Sequence, residues 1–318
     1  MRAKLIFLSL LLLVQLGLAF VLGVGSNNLK AFDATRKLLR FDGSSIDRLV
    51  FEGSAKQLLV LQKQGEHWTL PEHFAAHADG RKIDDLLHNL AELRRPWPVA
   101  EKGTADRRFK VADDNFERRL SLFHGDKKLT SLVIGSSPGF RKVHARVADE
   151  TTVYDIPFST FQVSLKPEDW VDKDQLQLKA DRISAVELAD CNLVKQVDQL
   201  VVTDLKPDEQ TASRKVTELV DKLAGLRIVD ALARPEQSLA AAPELSLSLT
   251  LADGGQRSYR FYKGADDKEL QLQVAGQPWL FKVAAGLKDE LAAYTRQRLV
   301  QPRQDENRLA GKSPAPPE

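Results

Sequence analysis

The sequence predicts an α+β protein: an N-terminal transmembrane helix followed by two tandem repeats, each an antiparallel sheet packed by one or two helices. Three observations predict this class. An uncharged apolar segment lies near the N-terminus, and two amphipathic segments of the same pattern follow about 130 residues apart. Short segments with alternating apolar and polar residues surround each amphipathic segment, and strands grouped in this way are typical of α+β folds.

The apolar segment extends from Leu5 to Val24 and contains no charged residue, whereas Arg2 and Lys4 precede it. About 20 helical residues at roughly 1.5 Å each span the hydrocarbon core of a bilayer. A secretory signal usually has a shorter apolar core and a small-residue cleavage site, and no such site follows this segment. The sequence therefore favours a retained signal anchor, with a cleaved signal as the alternative.

The flanking charges predict the orientation of this segment. Basic residues tend to stay on the cytoplasmic side, so Arg2 and Lys4 favour an N-terminus inside the cell. Lys30 and Arg36 lie beyond the segment and oppose this in part. We expect a single-pass protein of the inner membrane with its following region in the periplasm. Its expected partners are the lipid bilayer, through Leu5 to Val24, and other membrane proteins.

Two segments have the apolar spacing of a helix with one buried face. Asp79 and Asp208 precede them and are the expected helix starts, because aspartate often caps a helix N-terminus. The apolar positions are Ile83, Leu86, Leu87, Leu90 and Leu93 in the first segment, and Val216, Leu219, Val220, Leu223 and Leu226 in the second.

Segments of period-2 alternation precede and follow each predicted helix. Ile46 to Phe51 corresponds to Ile183 to Leu188, and Val143 to Val147 corresponds to Leu270 to Val274. Such alternation between turn residues is typical of antiparallel strands with one buried face. Each repeat is expected to hold two strands, a helix, a meander of about four strands and a short closing helix. Chance similarity between amphipathic elements is the alternative.

These elements predict the organisation of the chain. Its tail is rich in proline and charge and cannot bury enough apolar surface to become ordered. The predicted segments are a signal anchor over 1–25, a linker over 26–42, a first α+β repeat over 43–175, a second over 176–301 and a disordered tail over 302–318.

Composition and motifs argue against several classes of function. A net charge of +2 over 318 residues gives no nucleic-acid footprint, and the single Cys191 excludes an intrachain disulfide. The sequence contains no phosphate-binding or dinucleotide-binding glycine motif and no nucleophile elbow. We therefore expect no cofactor and no enzymatic activity. The lone cysteine is interpreted as a small core residue.

His73 and His77 are the nearest approach to a metal-binding pair. Their spacing would place both imidazoles on one face of a helix. Pro71 precedes them, however, and no glutamate completes the metalloprotease pattern. A solvated loop or a helix start is the favoured interpretation, and we predict no metal site. His144, within a strand, is expected to be a half-buried surface residue.

Three residues are candidates for contact with a partner. Trp97 lies between Pro96 and Pro98, where continued burial in a strand is not expected. Arg141 and Lys142 follow the loop from Gly135 to Gly139, which is the nearest approach to an anion-binding nest. A hairpin turn with flanking charges is the simpler interpretation of that loop.

The segment from Ile134 to Pro157 contains a glycine turn, a basic strand and the strand Val153-Tyr154-Asp155-Ile156, and it leads towards Trp170. Together with the duplicated layout and the anchor, it resembles the family named domain of unknown function 4340. The resemblance covers most of the chain after residue 25. It implies an envelope protein, often accompanying ABC-transporter components similar to the gliding-motility auxiliary type. It transfers no catalytic residues, and the His144-Ala145-Arg146-Val147 strand departs from the tyrosine-bearing strand of many members.

We expect a membrane-anchored periplasmic scaffold or accessory subunit of an envelope complex, such as an ABC-type transporter. One alternative is a periplasmic module that binds a small molecule, lipid or glycan in a cleft between the repeats. Another is a hydrolase, which would require a mutually hydrogen-bonded Ser, His and Asp in one pocket.

Overall fold

The computed structural model describes residues 12–15, 36–101, 106–233, 242–264 and 269–303. Strands account for 41% of these residues and helices for 22%. The predicted fold class is therefore wrong: antiparallel sheets dominate, because the alternating segments form one sheet of nine strands and one of eight, whereas only two described helices are longer than six residues. Among the described residues no helix is both long and apolar enough to cross a bilayer. Most of Leu5 to Val24 lies outside those residues.

Helices are short and few within the described ranges. Single turns of 3-10 helix lie at Gly43–Ser45, Thr160–Val163, Pro167–Asp169 and Ala180–Arg182. The α-helices outside residues 12–15 are α1 (Gly80–Glu92), α2 (Asp106–Phe109), α3 (Ser213–Ala224), α4 (Leu287–Ala292) and α5 (Arg296–Leu299).

The strands are mostly four to eight residues long. In chain order they are β1 (Arg48–Gly53), β2 (Leu58–Gln64), β3 (His67–Leu70), β4 (Ala76–His77), β5 (Pro98–Ala100), β6 (Val111–Ala112), β7 (Asn115–Phe116), β8 (Arg118–His124), β9 (Lys127–Ile134), β10 (Val143–Val147), β11 (Val153–Ile156), β12 (Ile183–Glu187), β13 (Asn192–Gln196), β14 (Gln199–Val202), β15 (Glu209–Thr211), β16 (Asp230–Ala233), β17 (Leu245–Leu251), β18 (Gln256–Lys263), β19 (Leu270–Val274), β20 (Leu280–Val283) and β21 (Val300–Pro302).

Two large sheets repeat one topology. The first has the order β4-β3-β2-β1-β8-β9-β10-β11-β5, and the second has the order β14-β13-β12-β17-β18-β19-β20-β16. In each sheet the opening strand lies beside the first strand of a four-stranded meander. The strand that follows the long helix pairs with the last strand of that meander. Two small two-stranded sheets, β15-β21 and β6-β7, complete the described strands.

The two long helices lie where the apolar stripes predict them. In α1, Ile83 and Leu90 are fully buried, and in α3 Leu219 is fully buried. Asp79 caps α1 as predicted, because its Oδ1 accepts a hydrogen bond from the Lys82 backbone N–H at 3.1 Å. The prediction for Asp208 is wrong, since α3 begins after Ala212 and no side chain caps it.

By its internal contacts the chain forms two compact units. Unit 1 comprises Met1–Ser45, Leu87–Ser121 and Lys128–Val163, and unit 2 comprises Ile46–Leu86, Leu122–Lys127 and Ser164–Glu318. Unit 1 contains a cluster of fully buried valines at Val111, Val133 and Val153. In unit 2 the fully buried Trp170 packs against Phe51 at a ring separation of 5.0 Å. The predicted repeat boundaries at 43–175 and 176–301 stay a prediction.

Candidate functional site

Unit 1 exposes three large aromatic side chains to solvent. Trp97 is 72% exposed, Phe140 87% and Phe161 88%. Trp97 directly precedes β5, Phe140 lies in the turn between β9 and β10, and Phe161 lies in the 3-10 helix Thr160–Val163. Single exposed apolar residues are common on protein surfaces, but several that share one surface mark a candidate interaction site.

The three rings belong to one continuous surface. Phe140 and Phe161 line a groove of about 830 Å³, and Trp97 lines a second groove of about 690 Å³. The two grooves share Pro157, Phe158 and Gln162 as a common wall. We call the lining of these two grooves the aromatic surface. Each of the three rings lies next to a strand of the first sheet: Trp97 before β5, Phe140 between β9 and β10, and Phe161 in the 3-10 helix that follows β11.

The predicted contact residues Trp97, Arg141 and Lys142 all lie on the aromatic surface. The guanidinium carbon of Arg141 lies 5.1 Å from the centroid of the Phe140 ring, within the range of a cation–π contact. Arg141 has a φ of 53°, which directs the chain sharply out of the turn. Lys142 is also exposed. The structure therefore brings the three residues together, while their contact with a partner stays a prediction.

The carboxylates of the aromatic surface are already paired with cations. Glu117 contacts Lys110 at 3.0 Å. Glu92 contacts Lys37 at 3.5 Å and Arg94 at 3.3 Å. For Arg141 and Lys142 the described part of the chain offers no ion pair. The surface is therefore basic, with its excess cations beside the exposed Phe140.

A partly buried ion pair anchors the base of the Trp97 loop. Arg95 donates to Glu150 through Nη1 at 2.8 Å and to the Tyr154 hydroxyl at 3.1 Å. The hydrogen bond with Glu150 raises the pKa of Arg95 above its ordinary value. The arginine side chain is only 16% exposed, so the pair is shielded from competing water. This contact fixes the backbone two residues before Trp97.

Phe140 and Phe161 are binding candidates that the sequence patterns did not single out. Phe140 lies between Gly139 and Arg141, and Phe161 lies between polar residues, outside any alternating segment. An aromatic residue in a turn predicts an exposed side chain when no apolar neighbours lie at strand or helix spacing from it. That signal is weak, because tertiary packing decides whether a turn residue is covered.

The Gly135 to Gly139 loop forms the turn between β9 and β10, and its first two N–H groups are used within the fold. The Gly135 N–H donates to the His144 carbonyl at 2.9 Å, and the Ser136 N–H donates to the Phe109 carbonyl at 2.9 Å. The Ser137 hydroxyl hydrogen-bonds to the carbonyls of Gly139 and Lys142, both at 2.7 Å. Because these donors are used internally, they are not directed at a bound anion.

Ser136, His144 and Asp155 form a set that resembles a catalytic triad in composition. Ser136 Oγ lies 3.2 Å from His144 Nδ1, and His144 Nε2 lies 3.3 Å from Asp155 Oδ1. His144 is 8% exposed, so the expectation of a half-buried surface histidine is wrong. The ring is covered by Phe109, whose centroid lies 4.3 Å away.

The hydrogen bonds of this set do not match the catalytic arrangement. His144 Nδ1 lies 2.7 Å from the Ser136 carbonyl, which can only accept, so Nδ1 carries a proton. The Ser136 hydroxyl donates to the Phe109 carbonyl at 3.1 Å. A nucleophile requires a base that can take its proton, and here the nearby ring nitrogen is already a donor. The set is therefore suited to joining β10 to the turn before it.

The predicted histidine pair has a different environment from the one its spacing suggests. His73 lies in the turn before β4 and contacts Asp230, while His77 lies in β4. The His77 ring stacks on His67 at 5.5 Å and meets the edge of Trp279 at 4.8 Å. Burial lowers the pKa of His77, and the nearby His67 lowers it further. Among the residues that the structure places, no three His, Cys, Asp or Glu side chains form a metal-binding group.

Cys191 is buried, in agreement with its interpretation as a core residue. It is 6% exposed and lies near Asp190 and Asp204. Burial, reinforced by these carboxylates, raises the pKa of the thiol to about 11. Since the thiolate is the reactive form of cysteine, this environment opposes nucleophilic chemistry.

The described residues form two large antiparallel sheets, and unit 1 exposes the aromatic surface. Residues 68–245 match the model of the family described as domain of unknown function (DUF4340). The match covers more than half of the chain, so the chain belongs to this family, which confirms the resemblance seen in the sequence. All three exposed rings lie within the matched residues. Comparison with curated proteins and with solved structures gave no match.

Proposed function

We propose that the protein is a non-catalytic accessory or scaffold subunit of a cell-envelope complex, such as an ABC-type transporter. The observation that carries this proposal is the aromatic surface of unit 1, where Trp97, Phe140 and Phe161 are all more than two-thirds exposed. A contiguous exposed apolar face with a basic margin is a feature of docking surfaces.

The contacts of the side chains with catalytic potential support a structural role for these residues. Ser136 and His144 use their hydrogen-bonding groups on backbone carbonyls. The raised pKa of about 11 keeps the Cys191 thiol protonated at neutral pH. A protein whose reactive groups are engaged internally, and whose apolar groups face water, is better suited to contact than to turnover.

Two sequence features support an envelope location. The segment from Leu5 to Val24 is apolar and uncharged, which favours contact with lipid. Arg2 and Lys4 before it favour a cytoplasmic N-terminus and therefore a periplasmic position for the residues that follow. The resemblance to envelope proteins that accompany ABC transporters supports the same assignment.

Site-specific photo-crosslinking in native membranes tests the proposal. A photoreactive phenylalanine derivative would replace Trp97, Phe140 or Phe161 in the full-length protein. As a matched control it would replace Val194, an exposed β13 residue of unit 2 that is 42% exposed. We expect crosslinks to an envelope component, protein or lipid, from the three surface positions and not from Val194. Equal yields at all four positions, or no crosslink at any, would overturn the proposal.

A further inference from the structure

The exposed rings of unit 1 project from three separate loops on one continuous surface. Phe140 and Phe161 are 87% and 88% exposed, so almost the whole of each ring faces solvent. A folded protein partner would need a matching cavity for each projecting ring. A bilayer interface accepts projecting aromatic rings without shape complementarity, and aromatic residues are enriched at that depth.

The charges of the same surface fit an anionic layer of headgroups. Arg141 and Lys142 lie in the same turn as Phe140, and the Arg141 guanidinium covers one face of that ring. This arrangement allows a ring to enter the acyl boundary while the adjacent cations stay at the phosphates. The surface carboxylates Glu92 and Glu117 are paired with cations and do not offset this charge.

The path of the chain places residues 36–38 beside this surface. The Arg95 N–H donates to the Arg36 carbonyl at 2.9 Å, and the Leu38 N–H donates to the Leu93 carbonyl at 2.8 Å. Residue 36 therefore lies next to the start of the Trp97 loop. In the sequence, the apolar segment from Leu5 to Val24 precedes Arg36 by fewer than fifteen residues.

We propose that the aromatic surface docks onto an anionic phospholipid bilayer, with Trp97, Phe140 and Phe161 at the headgroup boundary and Arg141 and Lys142 on the phosphates. The inference rests on the proposed function and deepens it, because it assigns the bilayer as the envelope component that the aromatic surface contacts. Docking of this kind would hold unit 1 against the membrane beside any protein partner.

Quenching of tryptophan fluorescence by brominated lipids tests this proposal directly. Trp68, Trp170 and Trp279 are at most 5% exposed, whereas Trp97 is 72% exposed, so quenching by lipid reports on Trp97. The full-length protein would be reconstituted into phosphatidylcholine vesicles with or without about 30% phosphatidylglycerol. We expect several-fold stronger quenching when phosphatidylglycerol is present, and loss of this quenching at high salt.

Variants distinguish the contribution of the aromatic surface from that of the N-terminal segment. All variants keep the same N-terminal segment, so a change in quenching is due to the aromatic surface. Trp97→Phe should remove the quenching and so identify its source. Phe140→Ala and Phe161→Ala should each weaken it, by up to about tenfold in partitioning. The double variant Arg141→Gln, Lys142→Gln should remove the dependence on phosphatidylglycerol. Arg214→Gln on α3, whose side chain is 91% exposed in unit 2, is the matched control and should leave quenching unchanged.

Two outcomes would overturn the inference. One is a vesicle-bound protein whose Trp97 is not quenched in anionic vesicles. The other is quenching that Arg141→Gln, Lys142→Gln and Arg214→Gln change equally. In either case, photo-crosslinks from the aromatic surface to a membrane protein would still support the proposed function. They would show that a protein, and not the bilayer, contacts this surface. Absence of both quenching and crosslinks would overturn the two together. Circular dichroism of each variant confirms that the fold is retained.

Discussion

His73 Nε2 lies 2.8 Å from Asp230 Oδ1, although 157 positions separate the two residues in the chain. Both side chains are mostly buried, at 19% and 15% exposure. Next to this contact, Trp279 Nε1 donates to the Phe74 carbonyl at 3.0 Å. The turn after β3 is therefore attached to β16 and to the turn before β20 within unit 2. Phe74 and Ala75 adopt positive φ values of 57° and 50°, which these contacts stabilise.

Breaking this contact should lower the stability of the protein. A hydrogen bond to a charged, mostly buried group contributes about 1.5–3 kcal/mol, so Asp230→Asn should reduce the free energy of unfolding by about that amount. Urea denaturation of Asp230→Asn, His73→Gln and the double variant gives a double-mutant cycle. We expect a coupling energy of about 1 kcal/mol or more between the two positions. Strict additivity of the two single changes would contradict this contact.

His77 should make the stability depend on pH. Burial first, and then His67, lower the pKa of His77 below 6.5, while Asp172 raises it in part. Below pH 6.5 the unfolded chain then binds a proton that the folded protein does not, so the free energy of unfolding falls as the pH decreases. His77→Gln should lose less stability than the wild type between about pH 8 and about pH 5 in chemical denaturation.

The neighbouring Asp172 has the opposite effect and must be considered in that experiment. Burial raises the pKa of Asp172 above 3.8, so the free energy of unfolding falls as the pH rises from 3.8 through the pKa of Asp172 in the folded protein. Asp172 is present in both proteins, and the difference between them therefore isolates His77. His88→Gln, which changes an exposed histidine on α1, is the control. Identical pH profiles for His77→Gln and the wild type would contradict the assignment.

The sequence was sufficient to locate elements whose pattern is local. The stripe from Ile83 to Leu93 corresponds to α1, and the cap at Asp79 was predictable because it depends on three adjacent residues. The dominance of strands was not predictable in the same way. Strands as short as β6 and β7 contain two residues each and show no period at all. Their formation depends on partners that pair with them only in the folded chain.

The candidate site likewise combines features that the local sequence predicts with features that depend on tertiary packing. Trp97 was predictable as an exposed residue because the prolines on each side have no backbone N–H to donate, which confines such a segment to the edge or the start of a strand. The exposure of Phe140 and Phe161, and the contact of His73 with Asp230, depend on packing between segments distant in the sequence. No periodicity encodes such proximity, so these features required the structure.

Gly135 should tolerate no larger side chain, unlike Gly139 in the same loop. A Cβ at Gly135 would lie 2.0 Å from the Phe109 carbonyl oxygen and 2.6 Å from that of Lys110. Gly135→Ala should therefore cost about 2–3 kcal/mol in thermal or urea unfolding, since backbone must shift. At Gly139 the described structure has no atom within 4 Å of an added Cβ. Gly139→Ala should change stability by less than about 0.5 kcal/mol, and equal effects would contradict the close approach.

Cys191 should be almost unreactive in the folded protein. It is 6% exposed, and burial with nearby carboxylates raises its pKa to about 11, so little thiolate forms at pH 8. We expect labelling by a chromogenic disulfide reagent at least about 100-fold slower than in the denatured chain. An Arg214→Cys variant, with a thiol at an exposed position, should react rapidly at that added site. Rapid reaction of Cys191 in the native wild type would contradict its burial.

Ser136 should not react with a fluorophosphonate probe of serine nucleophiles. Its hydroxyl donates to the Phe109 carbonyl, and His144 Nδ1 donates to the Ser136 carbonyl, so no base is positioned to take the serine proton. We expect no Ser136-dependent labelling beside a serine hydrolase as the positive control. Ser136→Ala should instead reduce the free energy of unfolding by about 0.5–1.5 kcal/mol, the contribution of one hydrogen bond. Probe labelling that disappears in Ser136→Ala would show a reactive serine and favour the hydrolase alternative.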